Sequence, residues 1–118
     1  LARLRDAATL DKKFRALKPV DKRCRLSLSG GLNRPPMERT PAIAALFQQA
    51  QALARDLGID LEESSTGGGS DGNFTAPFAP TLDGLGGVGE GAHAPTESIL
   101  IDRIADRTAL LAKLVATI

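Results

Sequence analysis

The fold is decided by residues 40–58, which read TPAIAALFQQAQALARDLG. Thr40 is a residue type that caps helices, and Pro41 suits the first helical position, where its missing N–H would have no partner. Apolar side chains then recur every three or four residues and form one stripe: Ile43, Leu46, Phe47, Ala50, Leu53, Ala54 and Leu57. Gly58 suits the left-handed position after the last turn. The stretch therefore predicts an amphipathic helix that faces an aliphatic core.

Two further helices are predicted on either side of this stretch. The first runs from about residue 3 to residue 17 and places three apolar side chains on one face, Leu10, Phe14 and Leu17. The second is predicted to be capped by Asp102, with an apolar face formed by Ile104, Leu111, Leu114, Val115 and Ile118. Short apolar or alternating runs predict strands at 24–29, 59–62, 80–83 and 98–101. Helices that alternate with short strands predict an α/β fold class.

Composition limits the classes of function. A chain of 118 residues forms one small domain or part of a larger one. Its net charge of +1 gives no reason to expect nucleic acid or an acidic membrane surface as a partner. A single cysteine, Cys24, excludes an internal disulfide framework and fits a reducing compartment, so we expect a cytoplasmic protein. No apolar run approaches the roughly 20 residues that span a bilayer, and no signal peptide is recognisable.

The only histidine, His93, ends a glycine-rich run, GLGGVGEGAH, at residues 84–93. Such a run allows close approach of the backbone to a ligand, a metal or another strand. One histidine cannot complete a zinc site, which needs further His, Cys, Asp or Glu ligands. Glu90 and Glu97 are near in sequence and could orient the imidazole. The residues alone leave two interpretations open, a metal or catalytic role and a structural histidine held by hydrogen bonds.

Three other patterns have both functional and ordinary interpretations. Residues 67–72 and 84–89 match G-x-G-x-x-G, but the first follows a polar segment and the second leads into Ala-Pro, so dinucleotide binding is not expected. Ser70 and Asp71 are typical caps of a short helical turn. Arg34 precedes two prolines, which stiffen the backbone and hold its guanidinium ready for a carboxylate. A solvated arginine in a linker fits the same spacing.

Taken together, four segments occur in an order that resembles the dizinc exopeptidases and deacylases. They are GLNRPPM at 31–37, GGGSDGNFT at 67–75, PTLDGLG at 80–86 and GEGAH at 89–93. The family includes glutamate carboxypeptidase, acetylornithine deacetylase, succinyl-diaminopimelate desuccinylase and aminoacylase, and the likeness is greatest to the glutamate carboxypeptidase branch. The resemblance extends over nearly the whole chain, and four ordered motifs are far more specific than one.

The resemblance implies a domain organisation. Members of this family have a catalytic domain interrupted by a smaller lid domain, which often forms the dimer. Residues 1–31 would then be the last helix and strand of the lid and dimerisation domain, and residues 32–118 the C-terminal part of the zinc hydrolase catalytic domain. The implied fold class is α/β, a partial catalytic domain of a zinc exopeptidase with the end of its inserted lid.

The resemblance also implies roles for individual residues. His93 matches the last zinc ligand, Arg34 matches the arginine that grips the substrate carboxylate, and Gly67, Gly68 and Gly69 match a glycine turn at the same end of the substrate. The implied chemistry is amide hydrolysis by two zinc ions that share and acidify a water, while a glutamate accepts its proton. That glutamate and the other ligands lie in the N-terminal part of such enzymes, and no segment here matches them. An additional proline after Ala76 departs from the family and predicts a short helix after Gly72.

We therefore expect a C-terminal fragment of a zinc-dependent carboxypeptidase or deacylase. Its substrate would be a small peptide or N-acyl amino acid, glutamate-like by resemblance, and its partners the N-terminal part of the enzyme and a second copy in a homodimer. No catalytic residue is expected in this chain, which alone should bind zinc weakly and not turn over. One alternative is a non-catalytic relative that pairs with another chain through the edge at 24–29. Another is a product of proteolysis whose biology belongs to a longer protein.

Overall fold

The computed structural model describes residues 1–118 and contains four α-helices and one small sheet. The helices are α1, Ala7–Arg15; α2, Pro41–Asp56; α3, Gly72–Thr75; and α4, Ile104–Thr117. Two 3-10 helices, Leu4–Asp6 and Ile101–Arg103, precede α1 and α4. The strands are β1, Gly89–Glu90, and β2, Ser98–Ile99. The fold class is thus mixed α/β. None of the helices has the length and hydrophobicity that crossing a membrane requires.

The chain divides into two compact units, each formed by two segments. The first unit contains residues 1–39 and 66–79, and the second unit contains residues 40–65 and 80–118. The predicted boundary between the lid domain and the catalytic domain, after residue 31, is not tested by this division and stays a prediction.

The core lies in the second unit, where α2 packs against α4. Its buried side chains are Ala50, Ala54, Leu61, Leu110 and Leu114. The prediction for α2 is confirmed at both ends: the Thr40 hydroxyl accepts a hydrogen bond from the Ile43 amide at 3.2 Å, and Gly58 has a φ of +71°. Alanines at two of the stripe positions allow α4 to approach closely, because they add little volume at the contact.

The two strands of the second unit form an antiparallel pair in which Gly89 faces Ile99 and Glu90 faces Ser98. The Leu100 amide continues the ladder by donating to the Val88 carbonyl at 2.8 Å. The prediction of a strand at 98–101 is therefore confirmed for two residues, after which the chain turns into the 3-10 helix. β1 was not predicted, because a glycine-rich run carries no alternation of apolar side chains.

The first unit has no buried residue. The helix predicted near residues 3–17 is present as the first 3-10 helix followed by α1, which ends at Arg15. α1 has no other helix against it in this unit apart from that 3-10 turn. The side chains of Leu10 and Phe14 are accordingly 38% and 54% exposed.

Four local predictions are wrong. Residues 24–29, 59–62 and 80–83 form no strand, because a strand exists only when a neighbouring backbone completes its ladder, and no neighbour is present. Asp102 does not cap α4, because it lies inside the second 3-10 helix. Arg103 takes the capping position instead, without a side-chain hydrogen bond.

Candidate functional site

The Arg34 side chain lies in the first unit, close to an aromatic ring and to a glycine. Its guanidinium carbon is 5.0 Å from the centroid of the Phe74 ring, a distance at which the ring face attracts a cation. A β-carbon added to Gly69 would lie 3.5 Å from Arg34 Cδ and 3.6 Å from Nη1. The structure thus brings together two of the predicted site residues, Arg34 and Gly69, and adds Phe74, which the sequence did not indicate.

The charge of Arg34 has one acidic neighbour in the first unit. Arg34 Nη2 is 3.7 Å from Asp71 Oδ1, and the two side chains are 41% and 98% exposed. A pair as long and as exposed as this contributes little free energy, so a ligand carboxylate can compete with Asp71 for the guanidinium. The guanidinium has five N–H donors in one plane, which suits bidentate recognition of a carboxylate.

The glycine turn beside Arg34 is held by side chains of its own loop. The Gly68 amide donates to the Thr66 hydroxyl at 3.2 Å, and the Gly72 amide donates to the Ser70 hydroxyl at 3.0 Å. Ser70 therefore supports the short helix α3, as predicted, whereas Asp71 makes no side-chain cap. The predicted short helix after Gly72 is α3, four residues long.

The remaining predicted glycines lie apart from Arg34. A β-carbon at Gly67 would meet nothing within 4 Å, and one at Gly68 would meet only the Thr66 hydroxyl, at 3.7 Å. These two glycines leave open space beside the turn. Their assignment to substrate binding stays a prediction.

Asn73 joins residues 34–36, the Arg34 loop, to the glycine turn at residues 67–69. Its amide nitrogen donates to the Pro35 carbonyl at 2.8 Å, and its amide oxygen accepts from the Ser70 amide at 2.7 Å. Sequence reasoning missed this residue, because the first bond spans 38 positions and no local pattern reports it.

His93 lies in the second unit, in the turn between β1 and β2. Its φ of +67° makes it the one non-glycine residue with a left-handed backbone. Its backbone N–H donates to Glu97 Oε2 at 3.3 Å. Glu97 thus reaches His93, as its position in the sequence suggested, but through the backbone instead of the imidazole. The imidazole is exposed.

The turn around His93 is ordered by its own backbone. The Ala94 amide donates to Gly91 at 2.8 Å, and the Glu97 amide donates to Ala94 at 3.0 Å. An open groove lies beside it, with Glu90 and Glu97 in its lining. A left-handed residue other than glycine costs of order 1 kcal/mol, which the surrounding turn has to offset.

The residues of this chain do not by themselves fit a metal site. Zinc sites take at least three protein ligands, and no group of three or more His, Cys, Asp or Glu side chains lies close enough to hold a metal ion. His93 can supply one ligand at most, and Cys24 is exposed in the first unit.

Comparison with known proteins identifies the family. No curated protein and no solved structure matches the chain significantly. Residues 22–117 match the model of peptidase family M20/M25/M40, whose members are hydrolases that generally depend on metal ions. This match covers the glycine turn, Arg34 and the turn that carries His93. The chain therefore belongs to peptidase family M20/M25/M40.

Proposed function

We propose that this chain supplies the carboxylate-binding part of a zinc-dependent carboxypeptidase or deacylase, which hydrolyses an amide bond next to a free carboxylate. The observation that carries the proposal is the Arg34 side chain, which lies against Phe74 and Gly69 and has only a weak acidic neighbour. Membership of the peptidase family supports the part of the proposal that the enzyme is a hydrolase of the peptidase type. The carboxylate specificity rests on Arg34.

The arrangement around Arg34 suits a ligand that approaches over the glycine turn. Gly69 has no side chain, so no β-carbon occupies the space next to the guanidinium that a ligand carboxylate would enter. The ring of Phe74 restrains the guanidinium, which lowers the conformational entropy lost on binding. The proposed substrate is a small peptide or an N-acyl amino acid, with glutamate as the favoured residue.

We assign His93 as one zinc ligand of the proposed enzyme, which by this proposal holds two zinc ions. The remaining ligands and the general base come from protein outside residues 1–118, because these residues contain no complete ligand set. The chain alone is then expected to bind zinc weakly and to hydrolyse nothing. Added zinc should change NMR chemical shifts only at residues 91–97. Replacing His93 with alanine should abolish that weak binding in an NMR titration with zinc.

The test of carboxylate binding is an NMR titration of the isotopically labelled chain with N-acetyl-L-glutamate. We expect changes at the Arg34 Nε–H and at the amides of residues 67–69, with a dissociation constant on the order of millimolar. Arg34→Lys keeps the charge and removes the planar fork, and it should weaken binding about tenfold. The corresponding diamide ligand, which has no carboxylate, is the matched control. Equal binding of the diamide, or no change at Arg34, would contradict the proposal.

A second candidate function is non-catalytic pairing of two copies through residues 24–29. Residues 25–29 make no backbone–backbone hydrogen bond, and Leu26 and Leu28 are 49% and 44% exposed. An unpaired apolar segment of this kind favours strand pairing with another chain. The first unit carries eleven Lys and Arg against five Asp and Glu, a charge of +6, so two such units repel and salt should strengthen the dimer.

Sedimentation at low and high salt tests this pairing. Ser27→Pro removes a backbone donor from the segment and should abolish the dimer. Val20→Pro places the same residue at a fully exposed position of the same unit and is the control. A monomer at all salt concentrations excludes this function for the chain.

A further inference from the structure

We propose that Asn73 is the positioning residue of the carboxylate site, because its single amide holds the Arg34 loop against the glycine turn. The hydrogen bonds of Asn73 place Arg34 with or without a ligand. That this placement serves a ligand carboxylate rests on the proposed function.

The two hydrogen bonds of Asn73 use opposite ends of one planar group. The amide nitrogen donates to the Pro35 carbonyl at 2.8 Å, and the amide oxygen accepts from the Ser70 amide at 2.7 Å. Both bonds are short and partly buried. Because the amide is planar and rigid, the pair of bonds sets the separation of two segments that are far apart in sequence.

These bonds act on the neighbours of the residues that form the site. Pro35 directly follows Arg34, and Ser70 directly follows Gly69. Asn73 itself directly precedes Phe74, whose ring lies 5.0 Å from the guanidinium carbon. One short helix, α3, therefore supplies both the Asn73 amide, which bonds to Pro35 and Ser70, and the Phe74 ring, which lies next to the Arg34 guanidinium. Proline limits the freedom of the Arg34 loop further, because its ring fixes φ.

The donor and acceptor pattern requires an amide. A carboxylate of the same shape keeps the acceptor for Ser70 but has no N–H to donate to Pro35. Asn73→Asp therefore breaks one bond and retains the other, and it directs a lone pair at the Pro35 carbonyl. Protonation of that carboxyl restores a donor, so acid should reverse the effect.

The experiment follows the Arg34 side chain by NMR in the labelled chain. The Phe74 ring current shifts the Arg34 side-chain protons, and Phe74→Leu supplies the reference without a ring. We expect Asn73→Asp to move the Arg34 shifts at least half of the way to that reference at neutral pH, and to return them towards wild type below about pH 3.5. Asn33→Asp, which adds the same charge one residue before Arg34, should leave them unchanged.

The ligand readout separates this inference from the proposed function. In Asn73→Asp the affinity for N-acetyl-L-glutamate should fall about fivefold or more, since the donors of Arg34 no longer match the ligand. If the wild type does not bind the ligand but Asn73→Asp still moves Arg34, the proposed function fails and the positioning role stands. If the wild type binds and Asn73→Asp changes neither the Arg34 shifts nor the affinity, the positioning role is wrong.

A measurement on the wild-type chain covers the case in which the variant does not fold. Scalar coupling across the hydrogen bond from the Asn73 amide nitrogen to the Pro35 carbonyl carbon reports that bond directly. A detectable coupling supports the bridge, and its absence would overturn it, because the bridge needs both bonds of the Asn73 amide.

Discussion

The two units contain helices with similar apolar stripes, but every buried side chain lies in the second unit. Leu10 in α1 is 38% exposed, whereas Leu110 in α4 is fully buried. The difference lies in what faces each stripe, since α2 and α4 cover one another and α1 has no such partner in its unit. An amphipathic stripe shows which face a helix can bury, and a second element is needed to bury it.

The units also differ in charge. The first unit carries +6, and the second carries four Lys and Arg against nine Asp and Glu, a charge of −5. The chain total of +1 hides this separation. The net charge of the whole chain is therefore no guide to the charge that a partner of either unit would meet.

The largest effect should come from truncating one leucine in each unit. Leu110→Ala removes a fully buried side chain from a core of five residues and should cost about 2–5 kcal/mol. Leu10→Ala is the same change on an exposed face and should cost less than about 1 kcal/mol. Urea unfolding followed by residue-resolved NMR measures both. Equal losses would mean that the burial difference between the units has no energetic counterpart.

A smaller effect is expected in the hairpin that carries His93. A β-carbon at Gly89 would overlap the Ser98 carbonyl oxygen, so Gly89→Ala should destabilise the pairing of β1 with β2 by about 1–3 kcal/mol. Gly86→Ala adds the same methyl group where nothing lies within 4 Å. Hydrogen exchange at the Leu100 amide, which donates to Val88, is the readout. Unchanged protection of the Leu100 amide in Gly89→Ala would show that the hairpin accommodates the methyl group without loss of stability.

The helix caps of the second unit give a third comparison. Thr40→Ala removes the hydroxyl that accepts from Ile43 and should cost about 1 kcal/mol. Asp102→Ala removes a side chain that makes no capping bond and should cost less than about 0.5 kcal/mol. Thermal unfolding of both variants measures the difference. A larger loss of stability for Asp102→Ala than for Thr40→Ala would indicate that Asp102 does cap α4, as the sequence predicted.

The smallest effect concerns an exposed pair in the first unit. Hydrogen bonds from the Arg23 side chain, and then from its backbone amide, hold the pKa of the Asp21 carboxyl below its ordinary value. A lowered pKa stabilises the folded state above the ordinary Asp pKa, and this contribution is lost as the pH falls through the lowered value. Arg23→Gln should raise the pKa of Asp21, whereas Arg25→Gln should not. A carbon-13 titration of the Asp21 carboxyl measures both, and an equal pKa in the two variants would rule out the pair.

The sequence predicted helices better than strands for a physical reason. The cap, the stripe and the terminal glycine of α2 are local features, and the structure confirms each. Three of the predicted strands are absent, because their ladders need a distant backbone that local sequence does not specify. β1 was missed for the complementary reason, since its pairing depends on the close approach of Gly89 to Ser98.

Two of the predicted site residues are neighbours in the structure, and the assignment of all of them to a ligand stays a prediction. Arg34 and Gly69 were both named from the order of motifs, and the structure places them together. Asn73 and Phe74 belong to the same surroundings, but the contacts that reveal them, to Pro35 and Arg34, join residues far apart in the chain. His93 was named as well, whereas its left-handed backbone and its bond to Glu97 became visible only in the folded turn.

By itself, the sequence determined the helix at 41–56 and the family to which the chain belongs, and it supplied the candidates for carboxylate and metal binding. These depend on residue type and on spacing within a few turns, so local rules are sufficient. Only the tertiary structure decided which apolar stripe became a core, which extended segments found partners, and that one asparagine holds Arg34 against the glycine turn. These outcomes depend on contacts between distant segments, and the free energy of such a contact exists only when both partners are in place.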